Sequence, residues 1–190
     1  MRLLREHLAE MSAVASAAAP ATEAAVVAAA RLVVDAVLSG KKLLAFGNGG
    51  SAAQAQHLAA ELVVRYKEDR PALPAISLTT DTSILTACAN DYDFSRVFAR
   101  QVEALGAAGD VAVGLSTSGT SPNVVLALEA ASERGLSTVL VTGEKGREAA
   151  KRWDAGIVVP SAETAHVQEL TLAVIHVLCR AVDEERKRRG

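Results

Sequence analysis

A histidine and a glutamate, His57 and Glu61, stand four residues apart shortly after a glycine-rich segment. On a helix this spacing places an imidazole and a carboxylate on one face. The preceding segment, Gly47-Asn48-Gly49-Gly50-Ser51, can hold an anion against the backbone N–H groups of a helix start. We therefore expect an anion site and a metal-binding or acid–base pair on one element.

Both signals also have ordinary structural explanations. The glycine-rich segment lacks the spacing of a dinucleotide-binding fingerprint and the lysine of a P-loop, so a tight strand–helix turn also accounts for it. A hydrogen-bonded core histidine and a solvated glutamate account for His57 and Glu61. Taken alone, these residues leave the function open.

A second polar loop, Ser116–Ser121, offers five hydroxyl groups and one glycine between a predicted strand and a predicted helix. Hydroxyl and backbone N–H groups in such a place can bind phosphate without a lysine. A helix N-cap accounts for one serine but not for five hydroxyls. The loop therefore favours a phosphate site.

A third signal lies in the last predicted helix, where His176 interrupts an apolar run and an unpaired imidazole would be costly. Gln168 precedes it by about two turns. Two histidines, a glutamate and a glutamine can bind a divalent metal such as zinc. The eight residues between Gln168 and His176 span about 12 Å of helix. Both reach one ion only if the helix begins late, if the side chains converge strongly, or if they come from different subunits.

Other polar residues have weaker claims to chemistry. His7 is expected on a helix surface, and His166 at a site entrance where nothing in the sequence pairs it. Trp153 is expected to pack rather than to stack on a ligand. The terminal run Glu184–Arg189 indicates a solvated helix end, because one short basic run is a poor footprint for nucleic acid.

The elements that must position these residues alternate between strands and helices, which predicts a parallel sheet with helices on both faces. Ligands in such folds bind at the carboxyl ends of strands, where both polar loops lie. Pro20 separates the first two helices, Ser51 and Gln54 fit a capping box, and Ser121 is an expected N-cap before Pro122. The predicted strands are 42–46, 75–78, 110–115, 138–141 and 156–159, and the predicted helices are 2–18, 20–39, 51–67, 82–89, 95–105, 121–134 and 162–187.

Length and composition indicate one domain, 1–190, in which residues 1–40 serve packing and oligomerisation. The net charge of −2 gives no field that steers the chain to nucleic acid or a membrane. The longest apolar run, Ala24–Leu38, is too short and too charged to span a bilayer. No signal peptide opens the chain, so a cytoplasmic location is expected. Cys88 and Cys179 are expected as buried thiols rather than as a disulfide.

The last helix is apolar nearly all round between Leu170 and Val182. Such a helix must be covered on every side. Together with the alanine-rich N-terminal helices, it favours a helical interface between subunits over an ordinary core helix.

The combined motifs are similar to those of the phosphoheptose isomerases, a group within the sugar isomerase (SIS) family, over nearly the whole chain. The motifs that carry this resemblance are Phe46-Gly47-Asn48-Gly49-Gly50-Ser51-Ala52, His57-x-x-x-Glu61, Ser116-Thr117-Ser118-Gly119, and Gln168-Glu169 followed by Ile175-His176. The resemblance implies an α/β fold of the SIS type, a flavodoxin-like three-layer sandwich with a parallel five-stranded sheet and N-terminal helices. It also implies a homotetramer.

The resemblance further implies interconversion of sedoheptulose 7-phosphate and D-glycero-D-manno-heptose 7-phosphate through an enediol. It assigns zinc to His57, Glu61, Gln168 and His176, with Glu61 and His176 as the acid–base pair. The implied substrate-binding residues are Asn48, Gly49, Gly50, Ser51, Arg65, Asp91, Ser116, Thr117, Ser118, Ser121 and Gln168.

Two positions depart from the family pattern, since His166 and Thr171 stand where members commonly carry an arginine and a histidine. A different class is also open, because some SIS proteins bind a sugar phosphate or a replication-initiator protein without catalysis. Those readings predict loss of the acid–base residues. Glu61 and His176 are both present, which favours the enzyme.

Overall fold

The computed structural model describes residues 2–189, so Met1 and Gly190, the ends of the predicted domain, lie outside the described residues. Within that range the strands are β1 (Leu43–Gly47), β2 (Ala75–Ser77), β3 (Val111–Leu115), β4 (Ser137–Gly143) and β5 (Ala155–Val159). The helices are α1 (Arg2–Leu38), α2 (Gly50–Val63), α3 (Thr82–Asp91), α4 (Ala99–Leu105), α5 (Pro122–Glu133), α6 (Arg147–Ala150) and α7 (Thr164–Arg189).

The strands pair in parallel in the order β2-β1-β3-β4-β5. The chain moves from β1 to one side for β2 and to the other side for β3, so the strand order reverses between β1 and β3. Gly47 and Leu115, the last residues of β1 and β3, are register partners. The segments that follow these two strands therefore leave the sheet side by side, at the place where open α/β sheets bind ligands.

Alternation along the strands divides the core into two layers, because successive side chains point to opposite faces of a sheet. Leu43 and Ala45 of β1 join a core cluster with residues of α1, α2 and α7. Leu44 and Phe46 join a second cluster with residues of α3, α4 and α5. The predicted α/β fold, a parallel five-stranded sheet with helices on both faces, is confirmed.

The predicted break at Pro20 is wrong, because α1 runs from Arg2 to Leu38 with Pro20 inside it. An internal proline removes one backbone hydrogen bond and costs about 3 kcal/mol. Packing on both sides of the proline offsets that cost. Ala18 lies in a cluster with Leu170 of α7, and Val33 lies in the cluster that contains Leu178.

Helix α7 is long and apolar enough to cross a membrane by length and composition alone. Half of its most apolar window is nevertheless buried within the fold, as in the core helix of a globular domain. An apolar groove runs between α1 and α7, lined by Ala15, Val26 and Val177 among others. Val177 remains about half exposed in the single chain.

Several local expectations need correction. Ser51 does not begin α2 as a cap, because the N-cap is Gly49 and no side chain caps it. Ser121 does stand at the N-cap of α5, with Pro122 in the first turn, but its hydroxyl makes no capping bond. The predicted helix 95–105 is divided into a 3₁₀ turn, Phe94–Arg96, and α4.

Both cysteines are free and buried, as expected. Burial raises the pKa of Cys179 to about 12, with a further contribution from the nearby carboxylate of Glu61. The thiolate is the reactive form of cysteine, so Cys179 is an inert packing residue at neutral pH.

Candidate functional site

The turn between β1 and α2 depends on glycine for two different reasons. A Cβ atom at Gly47 would lie 2.7 Å from the carbonyl oxygen of Leu115 and 2.9 Å from Cβ of Ser51. Gly49 has a φ of +56°, which side-chain-bearing residues rarely adopt. Among the described residues no side chain caps α2, so the positive end of its dipole faces the turn and suits an anion.

Three serine hydroxyls converge in the loop between β3 and α5. Oγ of Ser116 lies 3.0 Å from Oγ of Ser121 and 3.5 Å from Oγ of Ser118. Gly119 has a φ of +70° and donates its N–H to Oγ of Ser116 at 3.2 Å. The loop thus folds its hydroxyls around the N-terminus of α5, where several can donate to the same phosphate oxygens.

A pair of amide side chains joins the two loops. Nδ2 of Asn48 donates to Oδ1 of Asn123 at 2.9 Å, and Nδ2 of Asn123 donates back to Oδ1 of Asn48 at 2.8 Å. Asn123 is buried in the first turn of α5. Sequence reasoning missed Asn123, because its role depends on strands β1 and β3 being neighbours. The pair makes one continuous polar cradle from two separate loops.

The imidazole of His57 contacts both proposed catalytic residues. Its Nε2 atom lies 3.2 Å from Oε1 of Glu61 and 3.2 Å from Nε2 of His176. The first contact comes from the i, i+4 spacing on α2, and the second requires α2 to pack beside α7. The ring of Tyr66 stacks on His176 with the ring centroids 5.6 Å apart. Tyr66 follows the end of α2, so helical periodicity gives no signal for it.

Gln168 lies farther along the same pair of helices. Its carboxamide packs on Gly50, where a Cβ atom would come within 2.5 Å of Nε2. The backbone carbonyl oxygen of Gln168 accepts a hydrogen bond of 2.6 Å from Nε2 of Gln54. Gln168 therefore lies beside the start of α2, whereas His176 lies beside His57, about 12 Å farther along the axis of α7. Helix α7 begins at Thr164, before Gln168, so a late helix start does not bring the two side chains together.

Two of the predicted substrate-binding residues are exposed at the periphery. Arg65 follows the end of α2, and Asp91 is the last residue of α3. Asp91 accepts a hydrogen bond of 2.8 Å from Nδ2 of its neighbour Asn90. Thr117 is partly buried between the converging serines, and Ser51 is buried against Gly47. Substrate contacts for these residues remain predictions.

A buried arginine fixes the end of α2 that carries Glu61. Arg70 donates through Nη2 to the carbonyl oxygen of Glu61 and through Nη1 to that of Leu62, both at 2.8 Å. Its Nε atom donates to Oδ1 of Asp183 on α7 at 3.0 Å. The guanidinium thereby satisfies carbonyl groups that a helix end leaves without partners. It also ties α2 to α7 close to the paired histidines.

Within residues 2–189, the histidine and glutamate side chains whose ligand atoms all lie within 4.8 Å of one another are His7, His166 and Glu169. Nε2 of His7 lies 2.6 Å from Oε1 of Glu169. His7 is therefore not a plain surface residue, and His166 has neighbours of its own. This His/Glu group is able to hold a metal ion, and it differs from the set that the sequence predicted.

Comparisons with known proteins agree with this architecture. The SIS domain family model matches residues 6–143. A phosphoheptose isomerase of Geobacter sp. (strain M21) is 53% identical over 182 residues, which cover 96% of this chain and 93% of the relative.

Two solved phosphoheptose isomerase structures share the fold. The protein from Neisseria gonorrhoeae has a TM-score of 0.89 at 42% identity and covers 96% of this chain and 98% of its own. The protein from Francisella tularensis has a TM-score of 0.90 at 34% identity, with 96% and 97% covered. Because sequence and structure agree over nearly the full length of both chains, this chain belongs to the phosphoheptose isomerase family of SIS-domain proteins.

Proposed function

We propose that this chain interconverts sedoheptulose 7-phosphate and D-glycero-D-manno-heptose 7-phosphate. The observation that carries the proposal is the contact of His57 with both Glu61 and His176, on a helix whose first turn faces the hydroxyl loop. The names of the relatives, phosphoheptose isomerases, support the same activity. A non-catalytic sugar-phosphate-binding or replication-initiator-associating role is not favoured.

The dimensions of α2 support a long substrate. His57 follows Ser51 by six residues and Glu61 follows it by ten, which is about 9 Å and 15 Å along the helix. A phosphate held by Ser116, Ser118 and Ser121 leaves the other end of an extended seven-carbon sugar near the acid–base pair.

The proposed reaction moves one proton between neighbouring carbons through an enediol and consumes no oxidant. One group removes the proton from the hydroxyl-bearing carbon beside the carbonyl, and the proton returns to the former carbonyl carbon. A second proton passes between the two oxygens. Glu61 and His176 are the groups available for these transfers, each worth typically about 10²–10⁴-fold in rate. The pH–rate profiles of Glu61→Gln and His176→Ala distinguish the base from the acid.

Zinc at His57, Glu61, His176 and Gln168 is part of the proposal, with Gln168 supplied by a neighbouring copy of the chain, because within one chain it lies beside Gly50 and about 12 Å along α7 from His176. Zinc bonds of about 2.0–2.2 Å in a tetrahedral site separate neighbouring ligand atoms by about 3.4 Å, close to both spacings around His57. Glu61 and His176 each contact His57, and side-chain rotation would bring both to one ion. When bound, the ion would polarise the substrate carbonyl and stabilise the enediolate.

A cytoplasmic homotetramer completes the proposal, with residues 1–40 of the single 1–190 domain serving assembly. The exposed apolar groove between α1 and α7 supports a second copy of the chain as its cover. The exposure of Arg65 and Asp91 fits residues that meet substrate or a neighbouring subunit at the site's edge.

A coupled assay of sedoheptulose 7-phosphate turnover, with and without a chelator, tests the activity and the metal together. We expect turnover by the untreated protein, a strong loss with chelator, and recovery on adding zinc. His57→Ala is the matched variant, since it should resemble the chelated protein. A wild type that binds sugar phosphate without turning it over would support the non-catalytic, regulatory function instead. Turnover that the chelator does not change would contradict the proposed zinc.

A further inference from the structure

A second imidazole–carboxylate cluster joins the N-terminal ends of α1 and α7. Nε2 of His7 lies 2.6 Å from Oε1 of Glu169, and the rings of His7 and His166 lie 5.2 Å apart between centroids. One ligand atom from each of the three residues lies within 4.8 Å of the other two. Two nitrogens and one oxygen at this spacing form a donor set typical of zinc and related divalent ions.

Two buried polar atoms in this cluster lack a hydrogen-bond partner among the described residues. They are Nε2 of His166 and Oε2 of Glu169. The side chain of His166 is only 8% exposed, so water does not readily satisfy it. Leaving such an atom unpaired destabilises the folded protein. Two unpaired ligand atoms in one cluster point to a bound cation, which would take a lone pair from each.

Negative charge surrounds the cluster. Oε2 of Glu10 lies 3.8 Å from Nε2 of His166, and the carboxylates of Glu169, Glu10 and Glu163 raise the pKa of His7, with the Glu169 hydrogen bond as the largest cause. A protonated His7 paired with Glu169 accounts for the 2.6 Å contact. That ion pair leaves the buried Nε2 atom of His166 without a hydrogen-bond partner. It therefore explains the position of His7 but not that of His166.

We propose that His7, His166 and Glu169 form a second divalent-cation site with zinc-type ligand chemistry. Three protein ligands leave a fourth position for water or for the carboxylate of Glu10. The side chains of His7 and Glu169 are 40% and 39% exposed, which gives the ion a way in. A bound cation ties the N-terminal turn of α1 to α7.

This cluster is distinct from the group of His57, Glu61 and His176, while Gln168, the other ligand proposed there, precedes Glu169 in the chain. Glu169 and His176 are seven residues apart on α7, about 10 Å along the axis. The partner helix also differs, since His7 comes from α1 and His57 from α2. Loss of one site therefore leaves the ligands of the other in place.

Zinc stoichiometry tests the site directly. The full-length wild type, His7→Ala, His166→Ala and His57→Ala are loaded with zinc chloride, dialysed and analysed for metal per chain. We expect His7→Ala and His166→Ala each to hold one zinc fewer than the wild type. Glu6→Gln is the matched control on the same helix, where Glu6 pairs with Arg2 outside the cluster, and it should bind zinc as the wild type does.

A second readout is the melting temperature in the presence of zinc chloride. A cation that binds only the folded state raises it, so we expect a rise of several degrees in His57→Ala that disappears in His7→Ala/His57→Ala. Equal zinc content and equal thermal shift in wild type and His7→Ala would overturn the proposal. His7 is partly exposed, so this variant decides the matter even if His166→Ala fails to fold.

Discussion

Helix α7 contributes to two imidazole–carboxylate clusters, one shared with α2, the helix that follows the glycine-rich turn, and one shared with α1. His176 meets His57 on α2, and His57 in turn contacts Glu61 on the same helix, whose first turn adjoins the serine loop at the reversal of strand order. His166 and Glu169 meet His7 on α1, next to an apolar groove instead. The donor types are nearly the same in both clusters. The contrast predicts reaction chemistry at the cluster shared with α2 and a structural role for the cluster shared with α1.

The clusters also differ in how many surrounding contacts hold their helices in place. Arg70 bonds the carbonyl of Glu61 and the carboxylate of Asp183, so α2 and α7 are held together behind the first cluster. The second cluster has an unpaired nitrogen at its centre. The first arrangement suits groups that must be positioned before substrate binds, and the second suits groups that an ion completes.

The largest expected effect separates the clusters by activity. Glu61→Gln and His176→Ala should each lower kcat by about 10²–10⁴-fold, because each removes a proton-transfer group. Sugar phosphate should still bind, since the serine loop is untouched. Steady-state kinetics and calorimetric titration with substrate measure the two properties. Near-normal turnover in both variants would remove the proposed catalytic pair.

The contacts of Arg70 beside the first cluster should contribute to the free energy of unfolding. Arg70→Met leaves the buried carboxylate of Asp183 without its cation and should cost about 3–5 kcal/mol in the free energy of unfolding. Urea denaturation at a fixed protein concentration measures the loss. Arg70→Met/Asp183→Leu is the control, because it removes both charges and should recover most of the stability. No recovery would mean that the carbonyl contacts, rather than the ion pair, dominate.

The polar cradle should act on binding more than on chemistry. Ser118→Ala removes a hydroxyl that is placed to bond phosphate, and a hydrogen bond to a charged group contributes about 1.5–3 kcal/mol. We expect KM to rise by about 10- to 150-fold with a smaller change in kcat, since the contact is shared by ground and transition states. Ser132→Ala, an exposed serine at the far end of α5 and outside the loop, is the matched control. A fall in kcat alone would give Ser118 a different role.

Sequence patterns predicted the first cluster better than the second for a physical reason. The pair His57 and Glu61 is local to one helix, and a histidine inside an apolar run is visible without a structure. His7 and Glu169 are 162 residues apart, so only the packing of α1 on α7 brings them together. The strands and the two polar loops were likewise predictable from local patterns, namely the alternation of strand and helix segments and the positions of the glycines.

The remaining misses have the same origin. Asn123 and Arg70 act through tertiary contacts, with Asn48 in the neighbouring loop and with Asp183 on another helix. Pro20 predicts a helix end because the hydrogen bond that proline removes is a local effect. The packing that offsets this loss on both sides of Pro20 comes from residues distant in sequence. Local rules predicted the elements, and the contacts between elements required the fold.

Of these variants, His7→Ala should change the activity least. If the cluster at His7 is structural, His7→Ala should leave kcat and KM within about twofold of wild type, the range of an ordinary surface change. The same protein should have lost one zinc and its share of the thermal shift. Kinetics and metal analysis on one preparation measure both, with His57→Ala as the opposite case, active-site metal lost and the second zinc kept. A strong loss of turnover in His7→Ala would mean that the two clusters act as one site, since the packing of Gln168 on Gly50 lies between them and can transmit a shift of α7 to the glycine-rich turn.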